Sequence, residues 1–142
     1  MSDNIEIKNP EIDLYRQIAL SNKRPKVSKM FSLLGFTPHK GQEMILDVYD
    51  NYWKDYYFYT IMSGRRLGKS LVTSIIATTE LMTPFANVLI IAPVSKQAGI
   101  IYKDIVKFIK QLGIGFKTIN NNEMTFVLEN GSEIMVGNYT RL

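Results

Sequence analysis

The residues from Ser63 to Ser70 read Ser-Gly-Arg-Arg-Leu-Gly-Lys-Ser, and their types suit them to hold a polyphosphate. Gly64 and Gly68 let the backbone turn so that successive N–H groups face phosphate oxygens, and a helix starting there adds the positive end of its dipole. Lys69 could then reach the outer phosphates while the Ser70 hydroxyl ligates Mg²⁺. The usual pattern G-x-x-x-x-G-K-[ST] is met only in part, because Ser63 stands at the first glycine position and the glycine is displaced to 64. A plainer reading also fits Gly-Lys-Ser, a capped helix start with a solvated lysine.

Such a loop needs a strand before it and a helix after it. Tyr56 to Met62, aromatic or β-branched except at its last residue, is predicted to be a strand buried on both faces, as in a parallel sheet. Leu71 to Met82 lacks Gly and Pro and reads as the helix, with Leu71, Ile75, Ile76 and Leu81 on one side and Thr83-Pro84 ending it. Asn87 to Ala92 is a second buried strand, so the three elements imply a right-handed crossover. Ser95 then caps a helix to about Leu112, with Ile101, Ile105, Phe108 and Ile109 inward, lysines 103, 107 and 110 outward and Gly113 as its stop. Phe116 to Ile119 is a third strand, and Met124 to Leu128 and Glu133 to Val136 flank Asn130-Gly131, a strong hairpin signal.

Upstream, residues 1 to 10 read as loosely attached, Ile12 to Leu20 as a short helix and Ser21 to Lys29 as a basic linker broken by Pro25. Phe31 to Phe36 forms an apolar knot. Thr37-Pro38 resembles an N-cap followed by Pro at the first position of a helix reaching about Trp53, with Met44, Ile45, Val48 and Tyr52 as its apolar face. His39, the sole histidine, reads as a solvent-side helix residue.

The bulk properties exclude more than they select. A chain of 142 residues is one domain or part of one, and with no cysteine it has no disulfide framework or thiolate metal site. No apolar run is long enough to span a membrane, and the polar, acidic start is unlike a signal peptide, so an intracellular protein fits best. The net charge of +4 is uneven: no acid falls between Asp13 and Glu43, where Arg16, Lys23, Arg24, Lys26, Lys29 and Lys40 cluster. That block suits either nucleic-acid phosphates or a solvated face.

From Phe36 to Val136 the order of motifs resembles the N-terminal ATPase domain of phage large terminase subunits, the motors that package viral DNA. An arginine-rich loop such as Ser63-Gly64-Arg65-Arg66-Leu67-Gly68-Lys69-Ser70 is a variant that this family tolerates. Phe36-Thr37-Pro38 with Gln42 resembles its adenine-recognition segment, where a carboxamide can both accept from and donate to the base. Leu89 to Pro93 followed by Gln97 resembles the segment that faces DNA in these motors, and the turn at Glu129-Asn130-Gly131-Ser132 resembles the hairpin before their catalytic strand.

The resemblance implies an incomplete α/β P-loop NTPase, with a mainly parallel sheet and a C-terminal hairpin. Residues 1–30 would form a basic arm and 31–142 the first part of the ATPase domain. It implies ATP and Mg²⁺ as cofactors, Lys69 and Arg66 in catalysis, Ser63, Gly64, Arg65, Leu67, Gly68, Lys69, Ser70 and Gln42 around the nucleotide, and Ser70 on the metal. Double-stranded DNA, a portal and a small terminase subunit would be partners of the complete motor, in the host cytoplasm. Hydrolysis in this class also needs an Asp-Glu pair on a later strand. Glu129 is the one candidate and runs into the hairpin turn, so this chain alone is expected to hydrolyse ATP negligibly, with exposed apolar edges favouring self-association. A superfamily 2 helicase-like translocase and a non-catalytic nucleotide- or DNA-binding module remain alternatives.

Overall fold

The computed structural model describes residues 25–62, 64 and 67–139. The expected helix from Ile12 to Leu20, most of the basic arm and the loop residues Ser63, Arg65 and Arg66 lie outside the described residues. Along the described chain the elements are α1 (Val27–Leu33), α2 (Lys40–Tyr52), α3 (Lys69–Glu80), β1 (Asn87–Ala92), α4 (Ser95–Gln111), β2 (Phe116–Asn120), β3 (Thr125–Leu128) and β4 (Glu133–Asn138). The strands make one sheet in the order β1-β4-β3-β2. β1 runs parallel to β4, from Asn87 opposite Glu133 to Ala92 opposite Asn138, and the remaining pairs are antiparallel.

The amphipathic pattern of α4 fixes how the layers meet. Ile101, Ile105, Phe108, Ile109 and Leu112 are buried, whereas Lys103, Lys107 and Lys110 face solvent, as the spacing predicts. Gly113 ends the helix in the left-handed region at φ +70, with its N–H donating to Lys110 O and that of Ile114 to Ile109 O. At the other end Val94, not Ser95, is the N-cap. Ser95 is already helical, and its hydroxyl accepts a hydrogen bond from Asn138 Nδ2 at the end of β4.

Helix α3 is buried on more than one side, because it packs on both α1 and α4. Its buried polar side chains stay satisfied by bonding back along the helix: Ser74 donates to Ser70 O, Thr78 to Ser74 O and Thr79 to Ile75 O. The carbonyl of Leu81, just past the helix, accepts from Asn130 Nδ2 at 2.9 Å and Ser132 Oγ at 2.8 Å. Those residues belong to the predicted β3–β4 turn, where Gly131 has φ +84. The hairpin turn therefore grips the end of α3.

Several expectations are corrected. Tyr56 to Met62 is not a strand, and Tyr57 is 99% and Met62 93% exposed. A strand needs a ladder partner for its backbone, and among the described residues the outer edge of β1 has none. The segment lies along α2 instead, where the Tyr59 hydroxyl donates to Tyr52 O and its ring sits 5.7 Å from that of Tyr49. The crossover from this segment to β1 is therefore not formed, and β1 is only half buried, with Leu89 and Ile91 exposed.

On α2 the buried side is Gln42 and Leu46, with Met44, Val48 and Tyr52 exposed, since the strand expected to cover that face is absent. The presumed basic linker becomes helical from Val27, whose N–H, with that of Ser28, donates to the Asp50 carboxylate of α2. The N-cap of α2 is His39 rather than Thr37. His39 is solvent-exposed, as expected, but it caps the helix rather than lying within it.

Candidate functional site

Helix α3 starts at Lys69, and its N-cap, Gly68, sits in the left-handed region at φ +78, which favours glycine. A Cβ there would stand 2.5 Å from Gln42 Nε2, so a side chain would also have to displace the Gln42 amide. In the next turn Lys69 and Ser70 line a cavity of about 380 Å³ with Thr73, the end of β1 from Ile90 through Ala92 to Pro93, and Gln97 of α4. The cavity lies beyond the carboxyl end of a parallel strand and beside a helix N-terminus, where open α/β sheets bind ligands.

The far side of the loop rests on the start of α2. The built Cβ of Gly41 would come within 2.6 Å of Leu67 Cδ1. His39 and Gln42 form a reciprocal capping box, in which His39 N–H donates to Gln42 Oε1 at 3.2 Å and His39 Nδ1 accepts from the Gly41 and Gln42 amides. His39 Nε2 also reaches Leu67 O at 2.8 Å. Gln42 is buried, with its oxygen on this cap and its nitrogen turned to Gly68.

Of the sequence-predicted site, Gly68, Lys69 and Ser70 come together at the helix start, with Leu67 and Gln42 behind them. Gly64 is exposed, and Ser63, Arg65 and Arg66 lie outside the described residues. Glu129 follows β3 at the end of the sheet where Asn87 begins β1, opposite the end that carries Ala92 and the cavity. Its carboxylate lies over Gly115, within 2.3 Å of a Cβ built there. Among the described residues no three His, Cys, Asp or Glu side chains gather into a metal-binding group. Sequence reasoning missed Thr73 and Gln97 as cavity residues and missed His39; only His39 had a readable signal, since His-x-x-Gln has the spacing of a capping box.

A parallel β1–β4 pair covered on one face by α4, with a left-handed glycine immediately before a Lys-Ser helix start, defines an α/β protein of the P-loop type. Comparison with known families gives the narrower assignment: residues 60–141 match the model for the terminase large subunit, T4likevirus-type, N-terminal. The chain belongs to that family. No curated protein matches it. Among solved structures it is similar to a mutant of the ATPase domain of the Thermus Phage P74-26 large terminase, at 24% identity and a TM-score of 0.63, over 76% of this chain and 48% of that one. That likeness shows the fold, and the chain spans about half the length of that structure.

Proposed function

We propose that this chain is the ATP-binding portion of a viral DNA-packaging motor, in which hydrolysis drives translocation of double-stranded DNA in the complete protein. The observation that carries the reading is Lys69 and Ser70 side by side in the first turn of α3, facing the cavity at the end of β1. The family match supports it.

In this reading the first amides of α3 and Lys69 hold the phosphates, and Gly64, Leu67 and Gly68 shape the loop together with Ser63, Arg65 and Arg66. Arg66 is assigned to charge that develops on the γ-phosphate. Gln42 is assigned to the adenine edge. Ser70, which lines the cavity beside Lys69, is assigned to the cation, because a hydroxyl oxygen suits a hard metal. Mg²⁺, when bound, neutralises phosphate charge. A portal and a small terminase subunit are the proposed partners, and the host cytoplasm is the proposed setting.

Calorimetric titration of the chain and of Lys69→Ala with Mg-ATP tests the assignment. Charge-assisted hydrogen bonds are worth about 1.5–3 kcal/mol each, so the variant should bind at least ten-fold more weakly. Equal affinities would reject the phosphate loop.

A further inference from the structure

We propose that His39 is a positioning residue for the phosphate loop, tying the start of α2 to the loop backbone so that the loop keeps the shape that receives a polyphosphate. The inference rests on the ATP-binding reading above.

The imidazole serves two segments at once. Nδ1 takes the amides of Gly41 at 3.2 Å and Gln42 at 3.4 Å, and Nε2 lies 2.8 Å from Leu67 O. Backbone amides only donate and carbonyls only accept, so these partners together require a bare Nδ1 and a protonated Nε2. The neutral Nε2–H form satisfies every contact. No ordinary cap does this: a serine or threonine oxygen meets the helix amides but is too short to reach the loop.

Three contacts converge on the same junction, which gives the tie its purpose. Leu67 packs where Gly41 has no side chain, Gly68 sits where a side chain would displace Gln42 Nε2, and His39 bonds Leu67 O between them. The segment entering the loop, Tyr56 to Met62, has no ladder partner among the described strands. Leu67 and Gly68 are therefore held from the α2 side, and His39 supplies the hydrogen bond from α2 to the backbone immediately ahead of Gly68 and Lys69.

His39→Ser separates this role from helix capping, since Ser-x-x-Gln is itself a capping box. The expected result is a melting temperature within about 2 °C of the parent, with a roughly ten-fold weaker ATP affinity and faster hydrogen exchange at the Gly68, Lys69 and Ser70 amides. Parent-like affinity together with parent-like exchange would overturn the proposal, as would a fall in affinity that merely follows a large loss of stability.

Failure of the parent to bind ATP would reject the ATP reading instead. Nitrogen-15 spectra of the imidazole then decide the tie alone: an Nε2–H tautomer with an exchange-protected proton supports it, and an Nδ1–H tautomer overturns it.

Discussion

Gln42 Nε2 stands 2.5 Å from the point that a Cβ on Gly68 would occupy, although the two residues belong to different elements. Gln42 and the glycine that opens α3 are thus one packing unit. Gly68→Ala meets both this contact and a left-handed backbone at φ +78, where a side chain costs about 1–2 kcal/mol. Urea unfolding should show a loss of at least that size, and ATP affinity should fall with it. A variant as stable as the parent would mean that the loop backbone is not held as described.

Gln42→Ala removes half of the capping box as well as the proposed adenine contact. ATP affinity should fall more than affinity for inorganic triphosphate, because only ATP carries the base. Parallel titrations with the two ligands make the comparison. Equal losses would reduce Gln42 to a support for the loop.

Turnover is a separate question from binding. Among the described residues, those lining the cavity beside Lys69 and Ser70 include no carboxylate, and a positioned general base typically contributes ~10²–10⁴-fold. Phosphate release from the 142-residue chain with Mg-ATP should therefore stay at the level of its Lys69→Ala variant. Turnover well above that background would place an acid at the site that the described residues do not supply.

Tyr102 gives a pH dependence outside the site. It is buried under β3, its hydroxyl donating to Asn121 Oδ1 at 2.9 Å, and burial pushes the phenol above its ordinary value of 10.0. The unfolded chain then loses this proton first as pH rises, so the group's contribution is fully present below about pH 10 and is lost as pH climbs through the folded value. Tyr102→Phe should cost about 0.5–1.5 kcal/mol at neutral pH through the missing hydrogen bond. The parent's lead should shrink in denaturant midpoints taken above about pH 10, and a lead that stays constant there would contradict this account.

Local signals carried well where a segment's partner lay close in sequence. The inward stripe of α4, the left-handed stop at Gly113 and the Asn130-Gly131 turn were all readable, because spacing and glycine chemistry decide them. The helix start at Gly68-Lys69-Ser70 was readable for the same reason. Tyr56 to Met62 was misread because β-rich composition says what a segment would do beside a ladder partner and not whether one is there. His39 was missed because its meaning depends on Leu67, 28 residues away. The cap was legible in the spacing to Gln42, but the bond to the loop was not.

The grip of the hairpin turn on Leu81 O makes α3 a strut fixed at both ends. At 12 residues the helix is about 18 Å long, with Lys69 at one tip and the Asn130 and Ser132 hydrogen bonds just beyond the other. A packed helix resists shortening and bending, so a displacement of its first turn has two outlets. Either the hairpin moves with it as one piece, or the hydrogen bonds to Leu81 O break. Events at the loop and the posture of the β3–β4 turn are mechanically joined, without any side chain needing to reach from one to the other.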